Sequence, residues 1–201
     1  MRYLNKIVFI NSAAIRYSEV QLDGNIHLIG TQGVGKSTIL RAILFFYNAD
    51  TQRLGIPVEK KSYQDYYFPY ADSSIIYEVA REDGWFTVLS YKTMNRICYR
   101  FIASPYRPDL FIDEEGAPYP SDRIRSVLDK NGIKYSGAIS TYEEYRNILY
   151  GNSDNKRDYS CYSLMESGSY QNIIRTIQNV LLNSRLEADY IKQPIITSLT
   201  E

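Results

Sequence analysis

Nine consecutive residues near the N-terminus have the composition of a phosphate-binding loop, or P-loop. Residues 30–38 fit the pattern G-x-x-x-x-G-K-[ST], in which glycines let successive backbone N–H groups point at a phosphate and the following helix adds its positive end. In this pattern Lys36 reaches the β- and γ-phosphates, Ser37 holds Mg²⁺ and Thr38 can contact the α-phosphate. The predicted nucleotide-binding residues of the loop are Gly30, Thr31, Gln32, Gly33, Val34, Gly35, Lys36, Ser37 and Thr38.

A buried strand before the loop and a helix after it are the context that this motif needs. Residues 25–29 read as a short strand entering the loop, and residues 39–47 are apolar almost all round, which predicts a helix packed deep in an α/β core. Residues 6–10 predict a buried strand and residues 15–22 a half-exposed one, followed by the turn dipeptide Asp23-Gly24. The predicted order is strand, strand, turn, strand, P-loop, helix.

The composition limits the class of protein. The chain has 201 residues, enough for one sizeable domain, and its net charge is zero, so no overall positive field attracts nucleic acid. Its two cysteines, Cys98 and Cys161, lack histidines at metal spacing, which argues against a disulfide framework or a zinc site. No run approaches the ~18 apolar residues of a membrane span, so we expect a soluble, cytoplasmic protein. The 20 tyrosines predict half-buried positions with hydrated hydroxyls or, alternatively, an interface.

The polar residues 48–69 read as an excursion loop near the phosphates, with short helical turns. In it Arg53 is a candidate catalytic residue, because an arginine shortly after the P-loop helix can reach the γ-phosphate or a nucleic acid; a solvated surface arginine is the alternative. Three β-branched and aromatic runs then predict an antiparallel meander, at residues 74–80, 85–91 and 97–102.

The last part of the chain reads as mostly helical. Residues 121–131 predict a helix capped by Ser121 or Asp122 and stopped at a glycine, and residues 141–149 a second helix with a capping box. Residues 159–164 predict a strand that returns to the sheet. Apolar residues at helical spacing predict a long helix over residues 169–192.

The segment around Asp113 and Glu114 supports two interpretations. An apolar run that ends in Asp-Glu resembles a Walker B element, in which the aspartate holds Mg²⁺ and the glutamate activates water. A hairpin is the favoured alternative, since the apolar run is short, residues 115 and 116 form a turn, and the prolines that follow do not fit a central strand.

A second motif, Asn-Lys-Arg-Asp at residues 155–158, matches the N-K-x-D pattern that reads guanine in GTPases. In those proteins the motif closes a buried strand, whereas here it lies in a polar loop with no apolar run before it. A short motif out of context is weak evidence, so guanine recognition is not favoured.

These residues resemble the N-terminal part of an SMC-type ABC ATPase head. The likeness is closer to the SMC-like ATPases of bacterial condensin and plasmid-defence systems, the MukB and Wadjet JetC type. It is carried by the order of the predicted elements and by residues 29–43, 142–151 and 183–193. The asparagine usual in that family's P-loop is absent where Gln32, Gly33 and Val34 stand, which leaves the phosphate chemistry intact.

The resemblance implies an α/β fold of the P-loop NTPase class. It implies one nucleotide-binding lobe over residues 1–201, with an antiparallel β-subdomain at about 72–120 and a helical part at about 121–201. In that family the head is split: Walker A lies in the N-terminal half, and a coiled coil separates it from a C-terminal half with the ABC motif and Walker B. The present chain would then be the first half, and hydrolysis would need the second.

The resemblance also implies site residues and partners. Asn11 and Ser12 would lie near the nucleotide, Arg53 would be an active-site arginine, and Gln171 would be the Mg²⁺-sensing residue of the Q-loop beside Ser37. The expected cofactors are ATP and Mg²⁺. The expected partners are the C-terminal half of the same head, a second head in a homodimer on ATP binding, DNA and accessory subunits, and no membrane. The alternatives are a self-contained P-loop NTPase or kinase that uses Asp113 and Glu114, and a degenerate P-loop interaction module.

Overall fold

The computed structural model describes residues 2–24, 26–31, 33, 35–48, 62–94, 96–151 and 159–164. Its strands are β1 (Tyr3–Ser12), β2 (Ile15–Gln21), β3 (Ser74–Arg81), β4 (Gly84–Thr93) and β5 (Arg96–Ile102). Its helices are α1 (Lys36–Asn48), α2 (Tyr63–Tyr67), α3 (Ser121–Lys130) and α4 (Tyr142–Leu149), with 3₁₀ turns at Pro108–Leu110 and Ser160–Tyr162.

One five-stranded sheet organises the described residues, in the order β2-β1-β3-β4-β5, and all its neighbours pair antiparallel. The two N-terminal strands and the three strands of the meander are therefore as predicted. The meander does not stand apart as a β-subdomain beside the N-terminal strands, because β3 pairs with β1 along most of its length, for example Ile7 with Tyr77.

The two faces of the sheet bury separate clusters, as the alternation of side chains along a strand requires. Phe9 and Tyr77 belong to the cluster that packs against α1 and α4, while Val8 and Ile76 belong to the cluster that packs against α3. A register shift between Leu4 and Lys6 brings Leu4 to the α1 side. Helix α1 therefore lies on one face of the sheet and α3 on the other.

The segment before the P-loop is not the strand that its sequence predicted. Residues 26–31 have no regular secondary structure, and the side chain of Ile29 is 91% exposed. A strand needs a neighbour that satisfies its backbone N–H and C=O groups, and no described strand pairs with this segment. The apolar side chains of this segment are thus not part of a paired strand.

Two details of the C-terminal part also differ from prediction. Residues 159–164 contain a 3₁₀ turn and not a strand, and the ring of Tyr162 packs against Phe86 and Phe101 with centroids 5.9 and 5.4 Å apart. The N-cap of α3 is Pro120 without a side-chain hydrogen bond, so neither Ser121 nor Asp122 caps it.

Two other predictions are confirmed. Thr141 caps α4 by accepting the backbone N–H of Glu144 at 3.2 Å. A short helical turn is present in the excursion loop as α2, which is capped by Ser62. The predicted long helix over residues 169–192 lies outside the described residues.

Candidate functional site

The side chain of Lys36 folds back over the loop that precedes α1. Its Nζ donates hydrogen bonds to the carbonyl oxygens of Gly30 at 2.5 Å and Thr31 at 2.7 Å. The ammonium thus lies across the turn that the motif predicted, beside the first residues of the helix.

Two glycines give the loop its shape. Gly33 and Gly35 have φ angles of 92° and 91°, a left-handed backbone that glycine adopts without a steric penalty. The carbonyl of Gly35 accepts hydrogen bonds from the N–H groups of Thr38 and Ile39, at 3.0 and 3.1 Å, so the helix begins directly after the loop. The first turn of α1 has no acidic side chain, and the positive end of the helix dipole is therefore not neutralised from within.

The two hydroxyl residues at the start of α1 have different surroundings. Ser37, which the motif predicts as the Mg²⁺ ligand, is exposed. Thr38 is only 9% exposed, and its Oγ1 lies 3.2 Å from the hydroxyl of Tyr66. The backbone carbonyl of Thr38 accepts a hydrogen bond of 2.7 Å from the hydroxyl of Tyr67. Helix α2 therefore contacts both the side chain and the backbone of Thr38 in the first turn of the P-loop helix.

Buried tyrosine hydroxyls attach α1 to the rest of the fold along its whole length. The hydroxyl of Tyr77 donates to the carbonyl of Ala42 at 3.0 Å, and those of Tyr145 and Tyr150 donate to the carbonyls of Phe46 and Tyr47, each at 2.6 Å. The last two carbonyls lie in the final turn of α1, and helices generally lack intrahelical N–H partners for the carbonyls of their last turn. The sequence predicted that tyrosine hydroxyls stay hydrated. The hydroxyls of these three tyrosines instead donate hydrogen bonds to backbone carbonyls of the P-loop helix.

Burial changes the pKa of these tyrosine hydroxyls. It raises the pKa of Tyr77 and Tyr145 well above the ordinary value. It raises the pKa of Tyr67 as well, and the hydrogen bond to Thr38 acts in the opposite direction. The hydroxyls therefore remain protonated donors at neutral pH.

Asn11 and Ser12, which the resemblance places near the nucleotide, lie at the turn between β1 and β2. Asn11 has a left-handed φ of 44°, and its Nδ2 donates to Asp72 at 2.9 Å. Ser12 is fully buried, and its Oγ donates to the carbonyl of Tyr67 at 2.8 Å. The hydroxyl of Ser12 therefore donates to the backbone of α2. Tyr67 connects the β1–β2 turn to the P-loop helix, because its own hydroxyl donates to Thr38.

Asp113 lies in a tight turn and not at the end of a central strand. Its Oδ1 accepts the backbone N–H groups of Glu115 at 3.0 Å and Ala117 at 2.7 Å, and Ile112 bridges to Pro118 across the turn. The hairpin interpretation is confirmed. Ile112 packs on the cluster that faces α3, so this turn belongs to the opposite side of the sheet from α1. The structure does not bring Asp113 and Glu114 together with Ser37.

Several candidate residues fall on parts of the chain that the structure does not describe. They are Gln32 and Val34 of the loop, Arg53, Gln171 and the Asn-Lys-Arg-Asp motif at residues 155–158. Within the described residues, no group of three or more histidine, cysteine, aspartate or glutamate side chains is arranged to hold a metal ion. Both cysteines are described and neither forms a disulfide; Cys98 is buried and Cys161 is exposed.

Sequence reasoning found the loop but missed the residues that hold its helix. Tyr66, Tyr67 and Tyr77 come from separate parts of the chain, and the only available signal was the high number of tyrosines. Which backbone group each hydroxyl reaches depends on how α1 sits on the sheet.

Comparisons with known proteins relate the chain to one protein family. No helix within the described ranges is both long and apolar enough to cross a membrane. No curated protein matches the chain. A family model described as "Protein of unknown function (DUF3584)" matches residues 11–201, which is nearly the whole sequence and includes the P-loop and α1. The chain therefore belongs to this family.

Proposed function

We propose that the chain is the ATP-binding N-terminal half of an SMC-like, ABC-type ATPase head, of the α/β P-loop NTPase class. It would act in the cytoplasm, in DNA or chromosome maintenance or in plasmid defence. The observation that carries the proposal is the position of Lys36, whose ammonium lies against the carbonyls of Gly30 and Thr31 at the start of α1. An ammonium over a glycine-rich turn at a helix N-terminus is how a P-loop binds a nucleoside triphosphate.

The residues of the loop fit ATP and Mg²⁺. Lys36 can exchange two neutral carbonyls for phosphate oxygens, and charge-assisted hydrogen bonds to phosphate are about twice as strong as neutral ones. At Gly33 and Gly35 no heavy atom lies within 4 Å of the position that a Cβ atom would take, so these two turns have room for a ligand. Ser37, the residue that would hold the metal ion, is exposed. When bound, Mg²⁺ would neutralise charge on the β- and γ-phosphates.

The unpaired segment before the loop supports a half-site over a complete enzyme. Residues 26–29 contain Ile26, Leu28 and Ile29, yet they form no strand, and Ile29 is almost fully exposed. Strands that enter a P-loop are normally covered by parallel neighbours on both sides. A C-terminal head half would supply such a neighbour, together with the Walker B carboxylates. Asp113 lies on the other face of the sheet and does not favour the self-contained alternative.

In this proposal ATP lies between two heads, so binding drives their engagement and hydrolysis drives their release. DNA and accessory subunits would be moved through the attached coiled coils. Arg53 and Gln171 would complete the site as the active-site arginine and the Mg²⁺-sensing glutamine. Binding is the step that this chain can perform alone, whereas turnover needs the second half.

The first test measures ATP binding to the 201-residue chain in the presence of Mg²⁺. Wild type should bind, and Lys36→Ala should lose binding, because the ammonium is the main cationic contact to the phosphates. Lys130→Ala, which removes an exposed charge at the end of α3, is the matched control and should bind like wild type. Equal binding by Lys36→Ala would instead support the degenerate interaction module.

The second test concerns hydrolysis and the encoded continuation of the chain. The chain alone should turn over ATP only at background rate; an ordinary rate that Asp113→Ala abolishes would establish the self-contained enzyme. A coding sequence that continues past Glu201 into a coiled coil, an ABC motif and a Walker B element would support the split head. Amide hydrogen exchange at residues 26–29 should be fast in the chain alone and slow once the second half is present.

A further inference from the structure

The structure points to a positioning residue for the nucleotide that the motif does not contain: we propose that Tyr66 orients the hydroxyl of Thr38 toward the α-phosphate of the bound nucleotide. This inference rests on the proposed function, since it concerns the same phosphate site. It adds a second element, α2, to the residues that determine affinity.

The first step is the contact between the two hydroxyls. The Tyr66 hydroxyl lies 3.2 Å from Thr38 Oγ1, and either oxygen can be the donor on geometry alone. A phenolic hydroxyl is more acidic than an aliphatic one, so it is the better donor and the poorer acceptor. Donation from Tyr66 to Thr38 is therefore the favoured direction. It leaves the proton of Thr38 free for another acceptor.

The second step is the position of Thr38. It follows Ser37 in the first turn of α1, where the P-loop pattern places a hydroxyl that can contact the α-phosphate. A donor hydroxyl that itself accepts a hydrogen bond is polarised and donates more strongly. Tyr66 thus directs the Thr38 proton to the side where the phosphate binds and strengthens that bond.

The third step is the rigidity of the tyrosine. The ring of Tyr66 packs edge-on against Tyr67, with centroids 5.0 Å apart, and Tyr67 is in turn hydrogen-bonded to the Thr38 carbonyl at 2.7 Å. Tyr66 itself is 39% exposed, so the ring contact with Tyr67 holds a side chain that is only partly covered. Two neighbouring tyrosines therefore fix both the backbone and the side chain of one P-loop residue.

The test is a double-mutant cycle on the full chain, with ATP and ADP as the probes and Mg²⁺ present. Tyr66→Phe keeps the ring and removes the hydroxyl; it should weaken binding of ATP and of ADP by the same factor, about fivefold for one net hydrogen bond. Tyr70→Phe, on a tyrosine of the same segment that is 62% exposed, is the matched control and should not change either affinity.

The cycle separates positioning from a merely structural role. In a Thr38→Val background, Tyr66→Phe should cause no further loss of affinity, because Tyr66 acts through the Thr38 hydroxyl. The melting temperature without nucleotide is measured for the same variants, and a lower melting temperature for Tyr66→Phe with unchanged affinity for both nucleotides would show a structural role only. A loss for ATP but not for ADP, or additive losses in the cycle, would overturn the inference.

The outcomes also distinguish this inference from the proposed function. If wild type does not bind ATP, or if Lys36→Ala binds as wild type does, the proposed function fails and Tyr66 loses its role with it. If wild type binds, Lys36→Ala does not, and Tyr66→Phe binds both nucleotides like wild type, only the role of Tyr66 is rejected.

Discussion

The hydroxyl of Tyr145 donates a hydrogen bond of 2.6 Å to the backbone carbonyl of Phe46, a residue 99 positions earlier in the chain. Phe46 lies in the last turn of α1, where the helix leaves its carbonyls without N–H partners. Tyr150 does the same for Tyr47. Helix α4 thus closes the C-terminal end of the P-loop helix, while α2 contacts its N-terminal end.

Removing the Tyr145 hydroxyl should destabilise the fold. Tyr145→Phe leaves a buried carbonyl without one of its donors, which should lower the free energy of unfolding by about 1–2 kcal/mol. Urea unfolding followed by circular dichroism measures the change. Tyr142→Phe, on an exposed tyrosine of the same helix, should change stability by less than about 0.5 kcal/mol. Equal effects of the two substitutions would show that the hydrogen bond to Phe46 contributes nothing.

The buried tyrosines should make the protein sensitive to alkali. Burial raises the pKa of Tyr77 and Tyr145 in the folded state, so their contribution to stability is complete below pH ~10, the pKa of an unfolded tyrosine. Above it the unfolded chain loses protons that the folded chain keeps, and stability falls by about 1.4 kcal/mol per pH unit for each such tyrosine.

Urea unfolding between pH 8 and about pH 11.5 tests this, because the range spans the ordinary tyrosine pKa. Tyr145→Phe should reduce the slope above pH ~10 by the share of one tyrosine. A stability that does not change up to the highest pH would contradict the assignment.

Asp113 should matter for stability and not for the nucleotide. Its carboxylate accepts two backbone N–H groups of the turn, at 3.0 and 2.7 Å, so Asp113→Ala should cost about 1–2 kcal/mol of unfolding free energy. ATP affinity should stay as in wild type, since the turn lies on the face of the sheet opposite α1. Asp109→Ala, which breaks only an exposed ion pair with Arg107, is the control and should cost under about 1 kcal/mol. Loss of ATP binding with Asp113→Ala would revive the Walker B interpretation.

Replacing Gly35 should weaken ATP binding in addition to straining the backbone. At a φ of 91°, Gly35→Ala should cost about 1–2 kcal/mol in stability, because a side chain crowds the backbone in the left-handed region. It should also weaken ATP binding, since the backbone around the phosphate would change. Gly132→Ala, at a φ of 64° after α3, carries a similar strain and should leave ATP affinity unchanged. Thermal unfolding and ATP titration of both variants provide the comparison.

The parts of the protein that sequence alone determined are those governed by local chemistry. The turns at Gly33 and Gly35 and the helix from Lys36 follow from residue types within a dozen positions. The meander follows from β-branched runs between turns, and the cap of α4 follows from Thr141 and its spacing to Glu144.

Tertiary structure decided what depends on partners distant in the sequence. Residues 26–29 have strand-like composition, but a strand forms only where a neighbour pairs its backbone, and none is present in the described part of the chain. Asp113 follows an apolar run, but whether it faces Ser37 depends on which side of the sheet that run packs. The hydroxyls of Tyr67, Tyr77 and Tyr145 reach the carbonyls of α1 only because α2, the sheet and α4 pack against that helix. Arg53 and Gln171 stay predictions, since both lie outside the described residues.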